Sequence, residues 1–129
     1  IGVDEMGQMI LAFEIKGDKR RRLQQVCDEL QIILVDVLPV EYEQQLGALA
    51  GIDGFTRKPG KSRLEAFGSE MLVLSGINSQ ILDKFLAECG RKNVGKIALR
   101  AVLTPQNIFW TPEQLHKELQ KEYLFHAGI

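Results

Sequence analysis

The two halves of this chain carry the same order of apolar runs and breaks, and that order admits few folds. Met9-Ile-Leu-Ala-Phe-Glu-Ile15 is short, almost wholly apolar and closed by Lys16-Gly17, the pattern of a strand buried on both faces. Asp18 then stands as the cap of a helix with Leu23, Val26, Cys27 and Leu30 on one face. Ile32 to Leu38 reads as a second strand, stopped by Pro39, and Val40 to Ala50 as a helix ending near Gly51. In the second half Met71 to Leu74 is a strand, Ser75-Gly76 a turn, and Asn78 the cap of a helix turning Ile81, Leu82, Phe85, Leu86 and Cys89 inward. Gly90 to Gly95 breaks that helix, and Ile97 to Leu103 is the fourth strand. Thr111-Pro-Glu-Gln114 is a capping box with proline at the first helical position, opening a last helix with Leu115, Leu119 and Tyr123 on one face.

The match is positional too. Met9 and Met71, Leu23 and Phe85, and Cys27 and Cys89 each stand 62 residues apart. The spacing reads as 65 at Leu38 and Leu103 and as 69 at Leu46 and Leu115, the growth expected of longer loops in the second copy. The fold class that follows is α/β: two tandem β-α-β-α units forming one small four-stranded sheet flanked by helices, with a pseudo-twofold between them. Each crossover makes its own two strands parallel; the order of all four is open. The 129 residues make a single domain, 1–129, with a first half over 7–51, a basic linker over 52–69 and a second half over 70–125. A chain of this length hides roughly two-thirds of its unfolded surface, enough for a core shared by both halves.

Sixteen Lys and Arg against seventeen Asp and Glu leave a net charge of −1, so no long-range field draws in nucleic acid or anionic lipid. Two cysteines without CxxC spacing make no disulfide framework and no metal knuckle. The start IGVDEMGQ lacks a basic leader, and no uncharged run approaches the roughly 20 apolar residues of a membrane span. The expectation is a cytoplasmic protein without membrane contact, metal or cofactor.

Four features invite a functional reading. Lys19-Arg20-Arg21-Arg22 puts four cations in the first turns of a helix, against the macrodipole. With Arg57, Lys58, Lys61 and Arg63 of the linker it forms a candidate anion-binding patch. Gly54 to Ser62 resembles a phosphate-binding loop but has five residues between its glycines, one of them proline, and no strand leading in. Val35-Asp36-Val-Leu-Pro39 resembles the phospho-acceptor strand end of receiver domains, with the proline one residue early and no acidic pair to hold Mg²⁺. Asp36 and Arg100, lone charges in apolar strands, mark either a site where the halves join or solvent-facing edges. His116 is expected to be exposed and His126 to lie at a fraying end; Cys27 and Cys89 sit on apolar helix faces, where thiols are inert. No nucleophile–base constellation is readable, so an enzyme is the less favoured reading.

Asn107-Ile-Phe-Trp110-Thr111 holds the only tryptophan, just before the best-capped helix. Either the aromatic pair anchors a partner, or Asn107 bonds the loop backbone and Trp110 staples the helix. Together with Met71-Leu-Val-Leu-Ser-Gly76, Leu99-Arg-Ala-Val-Leu-Thr104 and Leu115, this stretch resembles the bacterial family named domain of unknown function 3783, over about residues 70–122. In the first half Pro39-Val-Glu-Tyr42 stands in place of the Asn-x-x-Trp-Thr motif, as in a diverged copy. The resemblance implies a short intracellular bacterial domain without an established activity or cofactor. The leading expectation is a non-enzymatic regulatory or interaction module, with a protein partner or a homodimer through an exposed strand edge. The alternatives are an anion or nucleic-acid binder using the basic cluster, and an enzyme with a site between the halves.

Overall fold

The computed structural model describes residues 7–58 and 65–126, the side chains of 123–126 excepted. Strands β1 (Met9–Phe13), β2 (Ile33–Val37), β3 (Met71–Ser75) and β4 (Leu99–Val102) form one sheet in the order β2-β1-β3-β4. Helices α1 (Gly17–Glu29), α2 (Leu46–Leu49), α3 (Ser79–Arg91) and α4 (Pro112–His126) complete the fold, with 3₁₀ turns at Pro39–Glu41 and Asn107–Phe109. β1 pairs parallel to β2 and β3 parallel to β4, as short crossovers require, whereas β1 and β3 meet antiparallel. In that central pair Leu11 faces Val73, two residues 62 positions apart, and the approximate twofold of the sheet passes between them.

The central strands are apolar throughout because helices cover both faces. Ile10, Ala12, Leu72 and Leu74 pack with Leu23, Val26 and Cys27 of α1 and with Phe85 of α3. Leu11, Phe13, Met71 and Val73 pack on the other side with Tyr42, Leu46, Leu49 and Leu115. The result is a three-layer α/β domain with α1 and α3 side by side on one face.

α1 and α3 each run 13 residues and end alike. Gln31 (φ 57°) and Asn93 (φ 55°) turn left-handed just past them, and the amides of Ile32 and Val94 reach back to the carbonyls of Cys27 and Cys89 at 2.8 and 3.0 Å. These are Schellman endings that bury an apolar residue directly after the turn. Just before these helices Glu14 (φ 61°) stands at the position of Gly76 (φ 68°), 62 residues earlier. A Cβ on Gly76 would run into the Gly7 carbonyl. Glu14 holds the same strained conformation with a full side chain.

Several expectations are corrected. Asp18 does not cap α1: the N-cap is Lys16, without a side-chain bond, and Asp18 lies in the first turn. The single helix expected over Val40 to Ala50 is a 3₁₀ turn and a four-residue helix, because the chain turns extended at Gln45 (ψ 144°) between them. The strand registers pair Met9 with Ile33 and Met71 with Leu99, so Ile33 corresponds to Leu99 and Leu38 to Thr104, not to Leu103. All four extra residues lie in one loop, Lys92–Ala98 against Leu30–Ile32, and the offset then stays at 66, matching Leu49 rather than Leu46 to Leu115. Asn78 caps α3, its Oδ1 accepting from the Ile81 amide at 2.9 Å, and the Thr111–Gln114 box closes reciprocally at 2.8 and 3.2 Å.

Phe13 is fully buried, tilted against Tyr42 and Phe67 with ring centroids 5.8 and 6.2 Å away. Phe13→Ala therefore lowers the unfolding free energy by about 3–5 kcal/mol in urea denaturation; a loss below about 1 kcal/mol would contradict this placement.

Candidate functional site

Glu14 is where strain and bonding meet. Its left-handed backbone is unusual for a residue with a long side chain. The carboxylate accepts three hydrogen bonds: from Tyr42 Oη at 2.8 Å, from the Phe67 amide at 2.5 Å and from the Gly68 amide at 3.0 Å. It thereby fastens the chain that enters the second half onto the end of β1. Above it three rings stack: Tyr42 on Phe67 with centroids 4.1 Å apart, and Phe67 on the imidazole of His116 at 4.2 Å. His116 Nε2 closes the column with Ser69 Oγ at 2.7 Å. His116 is thus buried, not exposed as expected, because residues 67–69 fold over the first turns of α4. Burial pushes its pKa below the ordinary 6.5, with the Glu14 charge opposing, and burial raises that of Tyr42, aided by the bond to Glu14. The adjoining cavity, between Tyr42, Phe67 and Glu113, holds only about 100 Å³, small for a substrate site.

Each cation of the helical basic cluster meets an acceptor, Arg21 with its side chain still 61% exposed. Lys19 Nζ donates to Glu70 at 2.6 Å and to the Lys96 carbonyl at 2.7 Å. Arg20 forks onto Asp36 of β2 at 2.8 and 2.9 Å, which raises the guanidinium pKa. Arg21 pairs with Asp18, whose pKa it lowers; Arg22 binds Asp18 at 2.8 Å and the Asn93 carbonyl at 3.1 Å. Arg57 pairs with Glu41. Lys58 holds Gln44 through its backbone, donating at 2.7 Å and accepting at 2.6 Å, while its side chain is exposed. Lys61 and Arg63, like the middle of the glycine-rich stretch, lie outside the described residues, as do the side chains of Tyr123 and His126. Among the described residues no three His, Cys, Asp or Glu side chains group as metal ligands would.

Asp36 and Arg100 do not meet. They stand on β2 and β4, the two outer strands, so these two charges do not form one site. Cys27 is buried and its thiol is pushed up to about 12 by desolvation; Cys89, half-buried, is pushed up to about 11. Neither is a nucleophile at neutral pH.

Asn107 has a defined task. Its Nδ2 donates to the Val102 carbonyl at 3.0 Å and its Oδ1 accepts from the Thr104 amide at 2.8 Å. Leu103 N–H points inward to Leu74 O at 2.8 Å, so by alternation the groups of Arg100, Val102 and Thr104 point out of the sheet. The Asn107 amide therefore sits where the next strand would bond and plugs the last part of the β4 edge. Glu41, 66 residues earlier, accepts from the Leu38 amide at 3.1 Å in the same geometry, but a carboxylate has no N–H to give the Asp36 carbonyl. The Trp110 carbonyl accepts from Leu46 N–H at 2.8 Å, tying α2 to the loop before α4, and its ring packs against the core beneath. Thr111 caps α4.

Upstream of the plug no described residue bonds to the outward backbone groups of β4. Beside this edge, between β4 and α3, runs a groove of about 400 Å³ floored by Leu72, Phe85, Leu86, Cys89 and Ile97. It continues for about 270 Å³ past Leu82 and Val102. Leu86 is 41% and Val102 48% exposed. Arg100 lines both parts and makes no ion pair among the described residues.

Sheet, layers and plugged edge define a compact mixed α/β domain whose β4 edge is interrupted at Asn107. Residues 70–124, which carry that edge, match the model of the family described as Domain of unknown function (DUF3783). No curated protein and no solved structure matches the chain. No helix among the described residues is long and apolar enough to cross a membrane.

Two outcomes follow from these contacts. Between the depressed value of His116 and 6.5 the unfolded chain binds more protons than the folded one, so its contribution is complete above about pH 6.5 and falls as pH drops through that window. Urea midpoints recorded from about pH 7.5 to 5 decline below 6.5, and His116→Gln flattens the decline. Asn107→Ala leaves the Val102 carbonyl and the Thr104 amide without their partner and lowers stability by about 1–3 kcal/mol, read by thermal or urea unfolding.

Proposed function

We propose that the protein is a non-enzymatic interaction module that binds a partner protein along the β4 edge and the groove beside it. The observation that carries this reading is the meeting of outward-facing backbone groups at Arg100 with an apolar groove between β4 and α3. Recognition by strand addition needs both: main-chain bonds for affinity and side-chain pockets for selection. The internal pairing of Lys19, Arg20, Arg21 and Arg22 speaks against a free anion-binding patch. The stacking of Phe67 on His116 speaks against an acid–base role for that imidazole. The same reading takes the two halves as copies of one unit and the protein as an intracellular bacterial one.

The test uses the whole chain, tagged in the cells it comes from, beside Leu86→Glu and Arg21→Glu variants. The expected result is a partner whose binding, reconstituted from purified components and measured by calorimetry, weakens at least tenfold in Leu86→Glu. Arg21→Glu leaves it unchanged. Binding that ignores Leu86→Glu but is lost in Arg21→Glu and falls steeply with salt would instead favour an anionic partner.

A further inference from the structure

Resting on that interaction reading, we infer that the partner contributes a short extended strand of fixed register and alternating charge, which adds to β4 and stops at Asn107. The backbone sets the register. Arg100 presents an outward N–H and C=O, and Val102 an outward N–H, because the neighbouring Leu103 amide bonds inward to β3. The next two outward groups, the Val102 carbonyl and the Thr104 amide, already belong to the Asn107 side chain. An added strand can therefore form main-chain bonds up to Val102 N–H and none beyond.

The two sides of that edge differ in chemistry, and a strand sends successive side chains to opposite sides. On the α3 side the groove is largely apolar, floored by residues such as Phe85 and Leu86, and Lys96 and Arg100, the latter without an ion pair among the described residues, also line it. It accepts apolar side chains and a carboxylate. On the α4 side lies a second groove of about 300 Å³ lined by Ala101, Trp110, Leu119, Glu118 and Glu122; Arg100 borders it as well, and Glu118 also meets Lys121 at 3.5 Å, which leaves the Glu122 carboxylate as its unshared charge among the described residues. It accepts lysine or arginine. The partner strand thus carries acidic and apolar residues at one parity and basic residues at the other. A second copy paired antiparallel about Arg100 would set two guanidinium groups directly opposite each other, a destabilising arrangement.

The experiment selects a displayed library of random dodecapeptides on the immobilised full chain and follows the enriched peptides as purified ligands. Enriched sequences should alternate acidic or apolar residues with basic ones. Their affinity should fall at least tenfold in Arg100→Glu and in Leu86→Glu; both positions are exposed, so the variants keep the fold. On saturation, residue-resolved amide exchange should slow at least tenfold at Arg100 and Val102 and stay unchanged at Thr104. Peptides that depend on Leu86 but leave Arg100 and Val102 exchange unaltered would overturn strand addition while leaving the interaction reading intact. Peptides indifferent to Arg100→Glu would overturn the charge rule. If no selected peptide responds to either substitution, both the inference and the reading beneath it fall.

Discussion

The antiparallel contact between β1 and β3 is the constraint on which the rest of this structure depends. Each half supplies one parallel strand pair, and a two-stranded sheet buries too little apolar surface to stand alone. Joining the pairs through Leu11 and Val73 makes a four-stranded sheet whose two middle strands are covered on both faces. It also aligns α1 with α3, so that residues from the two halves complete one core layer. Everything peripheral follows from it: the charged edges on β2 and β4, and the chain from the first half that must return across the lower face to start β3.

That return is secured by polar as much as by apolar contacts. Glu14 occupies a backbone conformation that glycine takes at the matching place, and its carboxylate gathers the Tyr42 hydroxyl and two amides of the returning chain. The column of Tyr42, Phe67 and His116 then presses that chain against α4.

Much of the architecture was legible because it rests on local chemistry. The four strands are dense apolar runs, and Asn78 and Thr111 cap helices by bonds made within three residues. What stayed hidden depends on distant partners. The antiparallel centre cannot be inferred from β-α-β units, which speak only of their own parallel pairs. His116 looked exposed because the residues burying it lie 47 or more positions earlier. Most acceptors of the basic run, Asp36, Glu70 and the carbonyls of Lys96 and Asn93, were hidden for the same reason: they come from other elements, and only Asp18 lies beside it. The positive φ of Glu14 had one readable trace: a glycine stands at the corresponding position of the second half. The single shift in offset, from 62 to 66, became visible only once the strand registers placed all the added residues in one loop.

The blunted edges have a consequence for assembly. A sheet with two open sides behaves like a bifunctional monomer, able to grow without limit when concentration rises. Here β2 carries Asp36 clasped by Arg20, with Glu41 on the last outward amide, and β4 ends under the Asn107 amide. The β4 edge resembles a part-capped end group in polymer chemistry: along whatever strand were laid beside it, main-chain pairing would end at the Val102 amide.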